Sequence, residues 1–248
     1  YAGGASVALS LLIEGYASKV IINDVDLAIY AFWYSVVNET EGLCRLIRDT
    51  PVDVGNWGIQ RNVQKERDKH DLLELGFSTF FLNRSNRSGI LEGGIIGGKL
   101  QSGSWKIDAR FNKNELISRI QRISKYRDKI ELHNLDAMEL MEQIIDQLPE
   151  QTFIYFDPPY YTKGKALYLN FYRKDDHIVV ANRIDKIARQ KWVVTYDHID
   201  FIEELYSRHR QVKYALNYSA SKAHKGEELM IFSDTLKIPD VSPVASRN

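Results

Sequence analysis

The stretch Phe153-Ile154-Tyr155-Phe156-Asp157-Pro158-Pro159-Tyr160 decides how the rest of the sequence is interpreted. Its four apolar residues are rich in strand formers and predict a buried strand of a parallel sheet. The two prolines end this strand, because neither can donate a ladder hydrogen bond and both fix φ. Asp157 and Tyr160 therefore lie at the carboxyl end of a strand, where open α/β sheets bind their ligands.

This Asp-Pro-Pro-Tyr turn carries the groups that are needed to hold the amino group of adenine. That amino group is a poor nucleophile, because its lone pair is delocalised into the ring. Asp157 offers a carboxylate and Pro158 a carbonyl, and each can accept one N–H and draw the nitrogen towards tetrahedral geometry. Tyr160 offers a flat face on which an extruded base can stack. The alternative is a turn that only ends the strand.

The same turn resembles the catalytic motif of a known enzyme family. Together with residues 161–172 and Asp176-His177, it is similar to the Dam-like class of S-adenosylmethionine-dependent DNA adenine-N6 methyltransferases. The resemblance implies that Asp157, Pro158, Pro159 and Tyr160 are catalytic, and that the cofactor S-adenosyl-L-methionine and duplex DNA are bound.

The family also implies a role for the residues that follow the turn. Residues 161–171 are expected to form a lid over the target base, with Tyr168 and Phe171 packing against that base opposite Tyr160. Lys163 is a candidate phosphate contact, although a lysine that simply faces solvent is an alternative.

A glycine-rich turn, Tyr1-Ala2-Gly3-Gly4-Ala5-Ser6, opens the sequence and is followed by a helical pattern. Such a turn lets the backbone approach a ligand closely, although a tight structural turn fits the pattern equally well. The short strand Val20-Ile21-Ile22-Asn23-Asp24 then ends in an acid roughly 20 residues later, a spacing that suits a carboxylate on ribose hydroxyls. By resemblance, Ala2, Gly3 and Gly4 border the methionine moiety of the cofactor, and Asp24 binds its ribose. Tyr1 and Ser6 are also expected to contact the cofactor.

A further acid of the cofactor site is expected at the end of the strand that follows the basic stretch. Lys129 to His133 predict this strand, and Asp136 follows it just before a helix. In the family fold a polar group at this strand end reaches the adenine of the cofactor, and we assign that role to Asp136. Its alternative role is an N-cap, and one side chain could serve both. By resemblance, Asp157 is also expected to border the cofactor.

The glycine turn of this fold should follow a first strand, and the family carries a Gly-Gly-Lys segment near its N-terminus. Neither is found at the right place in the sequence, which begins at Tyr1 without a methionine. We expect a preceding segment to supply both. The alternative is that cofactor binding is impaired.

The middle of the sequence carries a basic, glycine-rich stretch. Between Arg84 and Arg127 there are ten basic and three acidic residues, or +7, although the formal net charge of the chain is zero. Such a stretch is typical of a surface that contacts phosphates, but a solvated surface or flexible loop is also consistent with it. The resemblance to the DNA-contacting hairpin of Dam-like enzymes makes the following residues candidate DNA contacts: Asn83, Arg84, Arg87 and Lys99.

Composition excludes several other classes of protein. The single cysteine, Cys44, permits neither a disulfide within the chain nor a cysteine-based zinc site, and the six histidines show no metal-ligand spacing. We therefore expect no metal. No segment resembles a signal peptide or a membrane span, so a cytoplasmic protein of a reducing compartment is expected.

The predicted fold class is α/β, a Rossmann-like methyltransferase fold with a mixed, mostly parallel sheet. Residues 1–50 and 130–248 are predicted to form the catalytic domain, and residues 51–129 an inserted helical and hairpin target-recognition region. The predicted reaction is methyl transfer to the amino group of adenine in duplex DNA by base flipping. Alternatives are transfer to RNA adenine or protein glutamine, and a catalytically inactive DNA-binding relative. The sequence specifies neither the recognition site nor the oligomeric state.

Overall fold

The computed structural model describes residues 1–161, 172–218 and 224–238. The chain divides into two compact units, residues 1–143 and residues 144–248. Each unit has its own sheet in the described residues.

The first unit is mainly helical and contains one pair of strands. Its elements in chain order are α1 (Ser6–Ile13), β1 (Val20–Asn23), α2 (Leu27–Asn38), α3 (Thr40–Asp49), α4 (Val54–Lys65), α5 (Leu72–Ser85), α6 (Lys113–Ser124), β2 (Ile130–His133) and α7 (Ala137–Ile144), whose last residue lies past the unit boundary. Helix α2 begins after Asp26, whose side chain accepts a hydrogen bond from Ala28 N at 2.9 Å as the N-cap.

Strands β1 and β2 form a parallel ladder in which Val20 pairs with Ile130 and Asn23 with His133. The ladder brings together the two strand ends that the sequence assigns to the cofactor. All the helices of the predicted insert lie between these two strands in the chain.

Those inserted helices share the core of the first unit. Helix α5 packs against α2, and α6 against α3. The approach of α2 and α5 is so close at Gly76 that a Cβ built there would overlap Ser35 Oγ and Ala31 O. Further along α5, Phe77 and Phe81 are buried in the cluster that also contains residues of β1, α2 and α3.

The predicted domain boundaries therefore differ from the compact units of the structure. Residues 51–129 bury their apolar faces against residues 1–50 instead of forming a core of their own. The structural boundary falls near residue 143, after β2. A role of residues 51–129 in target recognition stays a prediction.

The second unit holds a four-stranded sheet. Its elements are β3 (Phe153–Phe156), α8 (Lys174–Ile184), β4 (Lys191–Asp197), α9 (Asp200–Leu205), β5 (Arg210–Tyr218) and β6 (His224–Phe232). The strand order is β3-β4-β6-β5, in which β3 and β4 are parallel and β6 is antiparallel to both β4 and β5. Strands, helices and parallel ladders in this arrangement fit a Rossmann-like α/β fold.

Two details of the predicted sheet differ from the structure. Among the described residues there are two parallel and two antiparallel ladders, so the pairing is mixed but not mostly parallel. Strand β3 exists and pairs as predicted, yet it is not buried along its length. Phe153 is 40% and Tyr155 36% exposed, and these two alternate residues lie on the same face of the strand.

The close approach at Gly76 gives a test of the shared core. Gly76→Ala should lower the free energy of unfolding by about 1–3 kcal/mol, because the added methyl group overpacks the α2–α5 contact. The matched control is Gly58→Ala in α4, where a Cβ would meet nothing within 4 Å. This control should stabilise by about 0.5–1 kcal/mol through helix propensity. Urea unfolding measures both, and equal effects at the two positions would contradict the packing described here.

Candidate active site

The glycine turn of the first unit is held by Asp24. One carboxylate oxygen, Oδ2, accepts hydrogen bonds from Ala2 N at 2.9 Å and Gly3 N at 3.0 Å. The other oxygen, Oδ1, accepts one from Asp26 N at 3.0 Å. A carboxylate has about four acceptor positions, so three are used by the backbone and one is left for a ligand.

The turn leads into α1 through a left-handed residue. Ala5 has φ +47°, a conformation that costs a non-glycine residue energy, and it gives α1 no side-chain cap. At Gly3 and Gly4 a Cβ would meet nothing within 4 Å, so the backbone of the turn borders open space. An uncapped helix N-terminus behind an open turn favours the binding of an anionic group. Ser6 is exposed as the first residue of α1.

Two asparagines join the strand ends of β1 and β2. Asn23 exchanges hydrogen bonds with the backbone of Leu135, at 2.9 and 3.0 Å, and Asn134 Nδ2 donates to Asp24 O at 2.7 Å. The main-chain nitrogen of Tyr1 also lies here, 2.9 Å from Asn23 O. The structure thus brings Asp24 and the glycine turn to the same edge of this ladder as the segment that leads to Asp136.

Asp136 is the N-cap of α7, the alternative to a cofactor contact that the sequence allows. Its Oδ1 accepts a hydrogen bond from Met138 N at 2.8 Å, and its carbonyl accepts one from Leu140 N at 2.9 Å. The residue is exposed, so a second role at the cofactor adenine stays a prediction.

In the second unit the parallel pairing of β3 and β4 sets the position of Asp157. Thr195 on β4 donates to Asp157 Oδ1 at 2.9 Å, and Tyr155 OH lies 3.0 Å from the same threonine oxygen. A Thr hydroxyl has one proton to give, so Tyr155 donates to Thr195 and Thr195 donates to Asp157. In the described residues, Asp157 Oδ2 makes no hydrogen bond within the protein.

The surroundings of Asp157 change its acidity. Desolvation by nearby protein atoms raises the pKa of this carboxyl, although the residue is solvent accessible. The hydrogen bond from Thr195 lowers the pKa, and the charge of Glu228 raises it further.

The two prolines are buried and turn the chain away from the sheet. Within the described part of the chain, no hydrogen bond reaches the carbonyl oxygen of Pro158, as the sequence predicts for this turn. Beyond them, Tyr160 OH donates to Glu228 Oε1 at 2.8 Å and Tyr161 N donates to Asp197 Oδ1 at 3.0 Å. The residues on both sides of the prolines are thus fixed by side chains of β4 and β6.

The predicted DNA-contacting stretch is a compact loop with little strand structure. A single antiparallel bridge, Asn86 with Ile95, stands where a hairpin is predicted. Buried Asn86 organises the loop, because its Nδ2 donates to the carbonyls of Ile90 and Leu91 and its Oδ1 accepts from Trp57 Nε1 at 2.7 Å.

The four candidate DNA contacts differ in how accessible they are. Asn83 Nδ2 donates to Gly89 O at 3.1 Å, so this side chain has a role within the loop. Arg84 is half-buried, and both burial and the nearby charges of Arg110 and Arg119 lower the pKa of its guanidinium. Arg87 and Lys99 are exposed.

Three predicted site residues lie outside the described residues: Lys163, Tyr168 and Phe171. Within residues 1–161, 172–218 and 224–238, no group of three or more His, Cys, Asp or Glu side chains could hold a metal ion. Among these residues, no helix combines the length and apolar character that crossing a bilayer requires.

The glycine turn and the Asp-Pro-Pro-Tyr turn both lie in the part of the chain that matches a known protein family. Residues 1–220 match the family model described as D12 class N6 adenine-specific DNA methyltransferase, a match that includes both the glycine turn and the Asp-Pro-Pro-Tyr turn. The chain belongs to this family. It is a DNA adenine-N6 methyltransferase, which confirms the family that the two turns predicted. A search of curated protein sequences found no match.

Several residues that hold the candidate site residues in place were not predicted from the sequence. Thr195, Asp197 and Glu228 contact the Asp-Pro-Pro-Tyr segment from β4 and β6, and Asn23 and Asn134 join the strand ends of the first unit. The sequence does indicate a special role for Glu228, because an acid beside the apolar run Leu229-Met230-Ile231 is unusual in a strand.

The hydrogen bonds that Asp24 accepts should protect the amides of the glycine turn from exchange. Asp24→Ala should speed amide exchange at Ala2 and Gly3 by about tenfold or more, since hydrogen bonds to a charged group contribute roughly 1.5–3 kcal/mol. Exchange measured by NMR should stay unchanged in Asp68→Ala, a matched change at an exposed acid. Unchanged protection of Ala2 and Gly3 in Asp24→Ala would show that the carboxylate does not hold the turn.

Proposed function

We propose that this methyltransferase transfers a methyl group from S-adenosyl-L-methionine to the N6 amino group of an adenine extruded from duplex DNA. The observation that carries the proposal is that two neighbouring acceptors of the Asp-Pro-Pro-Tyr turn accept no hydrogen bond in the described residues. Asp157 has one oxygen fixed by Thr195 and the other without a protein partner, and the Pro158 carbonyl accepts no hydrogen bond in the described residues. Two unused acceptors in adjacent residues suit the two N–H groups of one amine.

In this proposal Asp157 and Pro158 act by orientation. Asp157 Oδ2 accepts one amino proton of adenine and the Pro158 carbonyl accepts the other, which directs the nitrogen lone pair away from the ring plane. The Thr195 hydrogen bond supports this role in two ways: it fixes the carboxylate, and it lowers the pKa of Asp157 against the raising effect of burial. Only the ionised carboxylate has both oxygens available as acceptors.

The first unit is proposed to bind the methyl donor. S-adenosyl-L-methionine supplies a methyl group on a positively charged sulfur, which is electrophilic enough to react with an amine. The open glycine turn and the uncapped N-terminus of α1 suit the methionine carboxylate. The residues proposed for this contact are Tyr1, Ala2, Gly3, Gly4 and Ser6. Asp24 retains one acceptor position for a ribose hydroxyl, and Asp136 is the proposed contact to the adenine of the donor.

Tyr160 is the proposed stacking surface for the target base. Its ring is half-buried and its hydroxyl is fixed by Glu228, so a base that stacks on it meets a surface whose orientation is already set. Extrusion of the base is proposed because an amino group inside a duplex cannot reach a turn at a strand end.

The direct test of this proposal is Asp157→Asn, which keeps the side-chain volume but loses the second acceptor oxygen. Transfer of a labelled methyl group to duplex DNA should fall by at least about a hundredfold, the scale of a lost electrostatic contact in a transition state. Donor affinity, measured by calorimetry, should change less than about threefold because most of the proposed donor contacts come from the glycine turn, Asp24 and Asp136. Asp146→Asn is the control.

Two outcomes would count against the proposed function. Normal turnover in Asp157→Asn would remove Asp157 from the mechanism. Transfer by the unmodified protein to RNA, with none to duplex DNA, would show that the substrate is wrong.

A second test concerns the DNA-binding loop. Arg87→Glu with Lys99→Glu should weaken duplex binding and flatten its dependence on salt, because each lost phosphate contact reduces the slope by about 0.9. Both side chains are exposed, so the changes should leave the fold intact. The matched control is Lys69→Glu, an exposed lysine outside the basic stretch. A salt slope equal to that of the unmodified protein would show that this loop is not the DNA surface.

A further inference from the structure

Glu228 is an acid in a position that favours an apolar residue. It lies on β6, is 4% exposed, and is followed along the strand by the buried side chain of Leu229. A buried carboxylate is costly unless hydrogen bonds compensate for the lost water. The fold alone therefore gives no reason for a glutamate here.

Strand register explains where this carboxylate is directed. Glu228 is paired with Asp197 on β4 and with Tyr214 on β5, so the three side chains share one face in a row across the sheet. Thr195, two residues before Asp197 on β4, lies on the same face. This row thus continues the line of side chains that fixes Asp157.

Both oxygens of Glu228 accept phenolic hydrogen bonds. Tyr160 OH donates to Oε1 at 2.8 Å, and Tyr214 OH donates to Oε2. Hydrogen bonds to an ionised acceptor are shorter and stronger than those between neutral groups. The phenol of Tyr160 is therefore held at its far end, opposite the backbone that attaches it to Pro159.

We propose that Glu228 is a positioning residue of this methyltransferase, which sets the plane of the Tyr160 ring for the extruded adenine. The inference rests on the proposed stacking role of Tyr160. Glu228 touches neither the base nor the donor in this account. Its effect on the reaction passes through the Tyr160 hydroxyl.

A double-mutant cycle tests this coupling. Glu228→Met keeps the volume and removes the acceptor, and Tyr160→Phe keeps the ring and removes the donor. Each change should lower kcat by about tenfold, and the two together also by about tenfold, because they break the same hydrogen bond. Glu228→Gln retains one acceptor oxygen and should lose only about twofold to threefold. The affinity for duplex DNA should stay within about twofold in all variants.

A spectroscopic signal separates positioning from general stabilisation. Duplex DNA with 2-aminopurine at the target adenine becomes brighter when the base leaves the helix and dimmer when it stacks on an aromatic ring. Glu228→Met and Tyr160→Phe should both increase the fluorescence of the bound complex, since the base stacks less well. The control is Glu227→Gln, the neighbouring acid, which pairs with His198 and is exposed. It should leave rate and fluorescence unchanged.

The outcomes distinguish this inference from the proposed function. If Tyr160→Ala has a normal rate, the stacking role itself fails. If Tyr160→Ala is slow but Tyr160→Phe is normal, or the double change costs about a hundredfold, the role of Glu228 is wrong. Tyr160→Phe leaves Glu228 in place, so the inference stays testable even where Glu228→Met does not fold.

Discussion

The hydrogen bond from Thr195 to Asp157 is the interaction on which the orientation of the Asp157 carboxylate depends. It exists because β3 and β4 pair in parallel with Phe156 opposite Val194, which sets Thr195 level with the residue that leaves β3. A shift of one residue in this register would turn Thr195 to the other face of the sheet. The orientation of the carboxylate is therefore a property of the sheet and not of the turn that carries it.

The two prolines end the β3–β4 ladder and fix the direction in which the chain leaves it. Because neither has an N–H, the chain cannot continue the ladder past Phe156, and the buried rings fix its exit direction. The same lack of a ladder leaves the Pro158 carbonyl without a strand partner. Among the described residues, the ladder runs up to Phe156 and leaves a fixed carboxylate beside a carbonyl that accepts no hydrogen bond, which are the two acceptors that the proposed reaction uses.

The sequence predicts features that depend on neighbours along the chain. The strand ends at Asp24 and Asp157 follow from the apolar runs before them and from the polar or proline residues that end those runs. It could not predict that Glu228 reaches Tyr160, since that contact depends on a register between distant strands. Nor does it reveal that residues 51–129 share a core with residues 1–50, because the aromatic face of α5 does not show which helix it will meet.

The acids of this protein differ in whether their oxygens are already used, and this difference is a better guide to chemistry than their place in a motif. Asp24 accepts three backbone N–H groups, Asp136 caps a helix, and Glu228 binds two phenols. Each of these carboxylates supports the fold around it. Asp157 is the one at the central motif whose second oxygen accepts no hydrogen bond in the described residues, while its first is fixed. A carboxylate that is held on one side and open on the other can orient a substrate without moving itself, which is the property that preorganised catalysis requires.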